Sequence, residues 1–401
     1  MNILKNNKSD YIIIYEIFWI LINITLFSTS DLNFDYYNKF VENDFINLYN
    51  YYLHEKTFPQ EILIIIYNFL NNITVFHKEI RIKLIQTDFI LNSLKYLKDN
   101  NIIKKNILIE NLYKLFKNIS KNYNDYNEDL ARKFFNIFIE IFILDIDKNN
   151  ILLLICLYGL KNISKIPNEN IQILFIKCDI LNILINNKIE NDESNLIKLK
   201  ILNNLIINNI KKVNNYITCD NKILILITEI LKEIIFCTGE FRIKMFEKIL
   251  YCLNNLTLLD FNIANNIISN FLLINFINER IIYESDLKIR IIAVKILHNI
   301  LTILSTDIPI NIIFKFIPSL IFILKNERNE EIIKESFNCI GKIIQISIYL
   351  DGKNNENNNI QSIRNNLNNL ELYDILNRDL IINQIDNQQI KEIKNFLKIL
   401  N

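Results

Sequence analysis

The chain has 401 residues, of which 50% are hydrophobic, yet it contains only 4 glycines and 4 prolines. Domains of many short strands and tight turns depend on those two residues, so the composition disfavours a β-rich fold and leaves asparagine to mark the turns. A formal net charge of +1 provides no overall basic field for nucleic acid.

The first predicted element is the apolar segment 11–27, YIIIYEIFWILINITLF, which has the length of a signal anchor. Glu16 lies at its centre, where insertion into a membrane costs about 3 kcal/mol, and Asp10 interrupts its start. The same segment is one member of a repeating series. We therefore expect a buried helix and no membrane contact.

An apolar run followed by asparagine, then isoleucine or leucine, then a small polar residue recurs along the chain. Examples are WILINIT at 19–25, NFLNNIT at 68–74 and YGLKNIS at 158–164. The shared helix-ending position is occupied in turn by Asn23, Asn72, Asn118, Asn162, Asn208, Asn255, Asn299 and Lys342. Successive positions are 43 to 49 residues apart. This period is typical of armadillo or HEAT solenoids, which use about 40 to 47 residues per repeat.

Within one period, the apolar residues are spaced by three and four, which is the period of a helix. The period after Asn162 contains three such segments, NENIQILFIKC, DILNILINN and NLIKLKILNNLI. Three helices per repeat is the armadillo arrangement, whereas HEAT repeats have two. The sequence therefore predicts an all-α, right-handed superhelical armadillo solenoid of about nine three-helix repeats. We expect repeats over 1–350, a loop over 351–360 and a degenerate capping repeat over 361–401.

No residue pattern predicts catalysis, a cofactor or a metal. The three histidines are isolated, and four scattered glycines cannot form a phosphate-binding loop. The cysteines show no CxxC pair and are expected to be buried, reduced thiols of an intracellular protein. They are Cys156, Cys178, Cys219, Cys237, Cys252 and Cys339. We expect no enzyme activity.

The segment 159–184, GLKNISKIPNENIQILFIKCDILNIL, resembles the importin-alpha family, the armadillo adaptors that carry nuclear-localisation signals. The matching features are the Pro-Asn-Glu turn at 167–169 and the Ile-Gln helix start at 171–172. The segment 16–30, EIFWILINITLFSTS, is similar to that family's Trp-x-x-x-Asn helix and the turn after it. The resemblance extends over nearly the whole chain, as repeats two to nine and a degenerate tenth.

The resemblance implies a concave groove that binds extended basic cargo peptides for nuclear import, in a protein of the cytoplasm and nucleus. Asparagine amides can bond a peptide backbone, and aromatic faces can receive lysine or arginine. The implied main-site residues are Trp19, Asn23, Ser28, Asn72 and Asn118. The implied smaller-site residues are Tyr251, Asn255 and Asn299. Only about ten residues precede the first long helix, so we expect no basic arm for importin-beta, which makes that partner doubtful.

The chain also departs from the family pattern. Asn68, Lys114 and Lys295 stand four residues before three of the asparagines, where the family has aromatic side chains. Phe76 aligns with the family's critical acid, and a lysine in the groove would repel a basic ligand. An alternative function therefore stays open, namely an armadillo scaffold whose degenerate groove binds another protein partner and no basic signal.

Overall fold

The computed structural model forms two compact units, Met1–Ile210 and Lys211–Asn401. It describes residues 10–27, 49, 59–99, 106–119, 127–143, 150–186, 192–208, 221–234, 239–259, 261–304, 308–354, 358–377 and 387–398. Every regular element within these ranges is a helix, and none is a strand. The predicted all-α fold class is confirmed.

The first unit contains helices that pack both on their neighbours along the chain and on helices two or three places further on. They are α1 (Tyr11–Phe27), α2 (Gln60–Phe76), α3 (Lys78–Gln86), α4 (Phe89–Asp99), α5 (Asn106–Ile119), α6 (Glu128–Ile143), α7 (Asn150–Ile163), α8 (Glu169–Lys177), α9 (Ile180–Asn186) and α10 (Asp192–Ile207).

The second unit is built in the same way, and its largest helix interfaces join α15 to α17 and α12 to α15. Its helices are α11 (Lys222–Ile234), α12 (Glu240–Thr257), α13 (Phe261–Ser269), α14 (Phe271–Tyr283), α15 (Leu287–Leu304), α16 (Ile310–Asn326), α17 (Glu330–Asn354), α18 (Asn358–Asn369), α19 (Leu372–Ile375) and α20 (Asn387–Lys398).

Asparagine starts several of these helices by capping. The Asn168 side chain accepts from the backbone N–H groups of Asn170 and Ile171, at 2.9 and 3.2 Å. Such a bond satisfies donors that have no partner inside the helix, and it is worth about 1 kcal/mol. Asn127, Asn270 and Asn329 cap α6, α14 and α17 in the same way.

Acidic and amide residues also replace glycine where the backbone turns left-handed. Asp88, Asp179, Asn221 and Glu371 have φ values of 52°, 47°, 51° and 63°. Asparagine and aspartate tolerate this conformation better than other side chains, whereas Glu371 is less usual there. These turns explain how a chain with 4 glycines can connect so many helices.

Complete three-helix repeats are formed by α3–α5, α8–α10 and α13–α15. The chain is described without interruption from 308 to 354, and there α16 and α17 form a two-helix repeat. The second helix of that pair, α17, has 25 residues, so Lys342 lies inside it rather than at a helix end. One described repeat therefore has two helices, as in the HEAT pattern, whereas the three complete repeats named above have three.

The predicted loop over 351–360 is wrong in its extent. Helix α17 continues to Asn354 and α18 begins at Asn358, so the described helices occupy both ends of that range. The Asp351 carboxylate is buried and accepts from the backbone N–H of Ile360 at 2.6 Å. This bond ties the end of α17 to the start of α18.

Helix α1 is buried on one face only, whereas the sequence predicted a buried helix. Ile14 and Phe18 are buried, and the Phe18 ring lies 5.8 Å from that of Phe69 on α2. Ile12 and Ile20 on the opposite side are exposed. No helix in the described part of the chain is both long and apolar enough to cross a membrane.

An aromatic cluster forms part of the core of the first unit. The Phe138 ring lies 4.9 Å from Phe116 and 4.6 Å from Phe134, all three fully buried. Gly159 on α7 lies directly against the Phe138 ring. Among the described cysteines, Cys156, Cys252 and Cys339 are buried thiols outside any disulfide, and Cys178 is half-buried. Burial raises the pKa of the Cys252 thiol to about 12.

Candidate peptide-binding surface

The helices that carry the periodic asparagines pack side by side within each unit. In the first unit these ladder helices are α1, α2, α5, α7 and α10, each in contact with the next. In the second unit they are α12, α15 and α17. Residues four apart on a helix share a face, so each ladder helix contributes its asparagine and the residue four before it to one row.

Trp19 and Asn23 lie on α1 at this spacing. The Trp19 side chain is 52% exposed. The Asn23 amide donates to the backbone carbonyl of Trp19 at 3.0 Å, so it reinforces its own helix. Ser28 lies outside the described residues, and so does the side chain of Phe76. An exposed indole beside a half-buried amide remains compatible with peptide contact.

Other ladder asparagines bond the preceding ladder helix. Asn72 donates to Thr25 Oγ1 at 2.9 Å, and Asn118 donates to the Asn71 carbonyl at 3.2 Å. Asn208 donates to the Ser164 carbonyl at 2.9 Å. Because each bond crosses between consecutive repeats, these amides join the repeats together.

The second unit repeats this bonding pattern. Asn299 donates to Asn254 Oδ1 at 3.2 Å and to Thr257 Oγ1 at 3.3 Å. Asn255, one residue away on α12, is half-buried. A primary amide has two N–H donors and an acceptor oxygen, so bonding a neighbour leaves capacity for a ligand where the side chain is accessible. Asn72 and Asn299 meet that condition better than Asn118, which is buried.

Hydroxyl groups at the small polar position of the motif were not predicted as functional residues. Thr25, Ser164 and Thr257 each donate to a backbone carbonyl three residues earlier, at 2.7 to 2.8 Å. Their oxygens accept from Asn72, Asn204 and Asn299 of the next repeat. The repeated Asn-Ile/Leu-Ser/Thr triplets could have indicated that these hydroxyls join consecutive repeats, because a hydroxyl can donate one hydrogen bond and accept another.

Two tyrosine rings on these helices, Tyr158 and Tyr251, have the protein's own lysines close to their faces. Lys248 and Lys288 Nζ lie 5.1 and 5.8 Å from the centre of the Tyr251 ring. A hydrogen bond to Tyr251 is the main cause that raises the pKa of Lys288. Resident ammonium groups therefore occupy places where the family resemblance implied a basic side chain of the ligand.

Ion pairs connect the ladder helices of the second unit. Lys295 pairs with Glu331 at 2.6 Å, and Lys288 with Glu247 at 3.4 Å. The His298 ring lies 3.1 Å from Glu335, and this hydrogen bond lowers the pKa of the Glu335 carboxyl. The predicted repulsion of basic ligands by Lys295 is therefore reduced, since Glu331 balances its charge.

A cavity of about 440 Å³ lies between α17 and α20, next to His298 on α15. Phe337, Gly341, Lys342 and Phe396 are among its lining residues. Space stays open above Gly341, because a side chain added there would meet no atom within 4 Å. The sequence pattern placed Lys342 at the position of the periodic asparagines but did not predict this cavity. Gly341, which leaves space beside Lys342, was the feature of the sequence that could have indicated it.

No protein-family model and no curated protein sequence matches this chain. Among solved structures, it is similar to an engineered protein of the Northeast Structural Genomics Consortium, with a TM-score of 0.55 and 12% identity over 96% of this chain and 93% of that one. A second engineered protein of that consortium has a TM-score of 0.43 and 11% identity, covering 65% and 94%.

A designed armadillo repeat protein in complex with the peptide (KR)4 has a TM-score of 0.44 and 15% identity, covering 64% of this chain and 99% of that chain. We draw no conclusion from the two weaker similarities. The first similarity, at its low identity, bears on the fold alone. It agrees with the three-helix repeats seen directly in both units, and the chain is an all-α helical-repeat protein of the armadillo kind.

Proposed function

We propose that this protein is a non-enzymatic scaffold that binds an extended segment of a protein partner along its ladder helices. The observation that carries the proposal is the row of accessible aromatic, amide and lysine side chains that consecutive helices present within one unit. Asn72 is half-buried in the row of the first unit, where Trp19 is exposed, and Asn299 is half-buried in the row of the second unit. Stacked repeats commonly use such surfaces for extended ligands, because each repeat contributes a few contacts at regular intervals.

A more specific candidate is an importin-alpha-like adaptor that binds nuclear-localisation peptides and moves between cytoplasm and nucleus. The exposed Trp19 beside Asn23 supports it, since an indole face can receive a lysine of the signal. The lysines over Tyr251 and Tyr158 favour the broader proposal, because they occupy the aromatic faces that a basic peptide would need.

Titration with fluorescent basic, neutral and acidic peptides tests the proposal. Trp19 is the sole tryptophan, so its emission reports directly on a ligand that covers it. Saturable binding that changes this emission, and that weakens at least about tenfold in the Trp19→Ala, Asn23→Ala variant, is the expected result. If no peptide of any charge saturates, the proposal fails.

The second unit offers a matched pair of tyrosines. Tyr251→Ala removes a ring on the ladder helix α12, whereas Tyr283→Ala removes an exposed ring at the end of α14. Only Tyr251→Ala should weaken a peptide that spans this unit. Preferential binding of basic signal peptides would select the import adaptor, and preference for neutral or acidic peptides would exclude it.

A further inference from the structure

The cavity between α17 and α20 has apolar walls. Phe337 and Ile344 on α17 line it, as do Ile393 and Phe396 on α20, and all four side chains are buried. Their spacing of three or seven residues places each pair on one face of its helix. Ile348, one turn further along α17, also lines the cavity but is 50% exposed. The cavity is therefore an apolar pocket that opens to solvent and not a closed void in the core.

Gly341 provides much of this space. A helical glycine in a core usually receives a neighbouring side chain, as Gly159 receives the Phe138 ring, whereas a side chain added at Gly341 would meet no atom within 4 Å. Packed protein interiors leave few voids larger than a water molecule. The volume of about 440 Å³ instead lies within the range of about 300–1,000 Å³ that ligand pockets occupy. The cavity can thus take a large apolar side chain.

Hydrogen bonds from neighbouring helices hold the walls of the cavity in place. Arg364 on α18 is buried, donates from Nε to the Phe396 carbonyl at 2.8 Å, and places its guanidinium 4.9 Å from the centre of the Phe396 ring. His298 on α15 lines the cavity and lies 3.1 Å from the Glu335 carboxylate of α17. Walls that are already fixed lose less entropy when a ligand binds.

The polar groups that line the cavity are amides and one charge of each sign. Asn338 is half-buried, Gln345 and Gln389 are exposed, and each amide can both donate and accept. Such groups suit the alternating N–H and C=O groups of an extended peptide. Lys342 adds an ammonium group and Glu392 a carboxylate, so the lining gives no net preference for a charged ligand. This chemistry favours an uncharged peptide with an apolar side chain.

The cavity also continues the ladder surface of the second unit. His298 is adjacent to Asn299 on α15, and Lys342 occupies the periodic position on α17. These two ladder helices share the largest helix interface of the unit. A peptide that lies along α12, α15 and α17 would therefore reach the cavity just beyond Asn299. This continuity favours a peptide side chain over a separate small molecule.

We propose that the cavity between α17 and α20 binds a leucine or a similarly large apolar side chain from an uncharged, extended segment of a protein partner. This inference rests on the proposed function, because it names the residue that anchors such a segment on the second unit. Asn338, Gln345 and Gln389 bond the backbone on either side of the anchor, and the buried walls exclude water from the apolar side chain.

The test compares two labelled peptides by fluorescence anisotropy on the full chain. Both are uncharged and rich in serine, asparagine and glutamine, and they differ only at a central residue, which is leucine in one and serine in the other. We expect the leucine peptide to bind at least about tenfold more tightly, because its apolar side chain leaves water. Equal affinities of the two peptides would overturn the proposal.

Gly341→Leu locates the binding site of the leucine. The new side chain should fill the cavity and remove the advantage of the leucine peptide over the serine peptide. It should not lower the free energy of unfolding, because it enters open space, and urea denaturation checks this. A leucine advantage that persists in the folded variant would mean that the side chain binds elsewhere, and the proposal would be wrong.

Ile348→Ala tests the same site without filling it. Removing an exposed side chain that lines the cavity should reduce the leucine advantage by about threefold. The matched control is Tyr349→Ala, because Tyr349 is the next residue on α17, is also 50% exposed and does not line the cavity. This control should keep the full advantage. Equal losses in the two variants would contradict the proposal.

Two further outcomes separate the alternatives. If octanoate, a small apolar carboxylate, binds the natural protein but not Gly341→Leu, and the leucine peptide shows no advantage, the occupant is a small molecule and the proposed peptide anchor is wrong. If the leucine and serine peptides bind equally and change Trp19 emission, the inference fails and the proposed function stands. If no peptide of any charge binds, both fail.

Discussion

Gly159 and Gly341 both lie inside helices, but they meet different surroundings. A methyl group at Gly159 would overlap the buried Phe138 ring, whereas one at Gly341 would meet no atom within 4 Å. We expect Gly159→Ala to lower the free energy of unfolding by about 2 kcal/mol, because overpacking outweighs the better helix propensity of alanine. Urea denaturation followed by circular dichroism measures the change.

Gly341→Ala is the control for this substitution. With no clash, the same exchange should raise the free energy of unfolding by about 0.5–1 kcal/mol, because alanine loses less conformational entropy in a helix. Similar effects of the two substitutions would contradict the packing of α7 against Phe138. The sequence could not distinguish these glycines, because both occur in apolar helical runs.

Lys161 predicts a pH dependence of stability. Its folded pKa is about 8, below its ordinary 10.5, so between these values the unfolded chain binds more protons. The unfolding free energy of the natural protein should therefore rise with pH across this window, relative to Lys161→Met. Below about pH 8 the difference between the two proteins should be constant. Parallel curves from neutral pH to above pH 10 would contradict the burial and like-charge repulsion at Lys161.

At the scale of elements, short helices hold the ends of ladder helices. Arg81 on α3 is buried and donates to the Thr74 carbonyl at 2.7 Å, at the end of α2. Gln172 on α8 donates in the same way to Ile166 at 2.9 Å, just after α7. The Ile-Gln feature that carried the family resemblance therefore satisfies carbonyls that a helix end leaves without partners.

The bond between Asn72 and Thr25 predicts coupling between two repeats. In a double-mutant cycle, Asn72→Ala and Thr25→Ala should show an interaction free energy of about 0.5–1.5 kcal/mol, because the part-buried hydrogen bond joins α2 to α1. Thermal or urea unfolding of the four proteins supplies the values.

Asn118→Ala combined with Thr25→Ala is the matched control for this cycle. Asn118 bonds the Asn71 backbone instead, so the two effects should add within about 0.5 kcal/mol. Additivity in both cycles would mean that Asn72 does not connect the repeats in solution. In that case its accessible amide would be more available to a peptide.

For the whole molecule, the division into two compact units predicts that a destabilising substitution in one unit increases local unfolding in that unit and not in the other. Gly159→Ala overpacks the core of the first unit, and Leu297→Ala leaves a cavity in the core of the second. Removing the buried Leu297 side chain should cost about 2–5 kcal/mol. Since contacts in repeat proteins are mainly between neighbours, amide hydrogen exchange should accelerate within the altered unit.

The measurement is hydrogen exchange followed by mass spectrometry of peptides from both units. The peptides from the unit without the substitution act as the internal control. An equal rise in exchange over both units, for either variant, would show that the chain unfolds as one cooperative body and would contradict this prediction.

The amino-acid sequence by itself determined the all-α class, the period of the repeat and the positions of most ladder helices. Helical spacing of apolar residues is a local property, and a recurrence over 43 to 49 residues is independent of which neighbours touch. It also identified Trp19 and Asn23 as neighbours on one helix face. The loop expected over 351–360 is helical at 351–354 and at 358–360, and the Ile360 N–H donates to Asp351 across these two ends.

Only the tertiary structure decided what the ladder side chains do. Asn72, Asn118 and Asn299 look alike in sequence, but their partners lie in the preceding repeat, 42 to 47 residues away. The charge environment was likewise invisible, because Glu331 pairs with Lys295, whereas lysines from other helices and Glu193 act on Lys161. A side chain's bonding and charge state depend on the groups that packing brings beside it, and these come from distant parts of the chain.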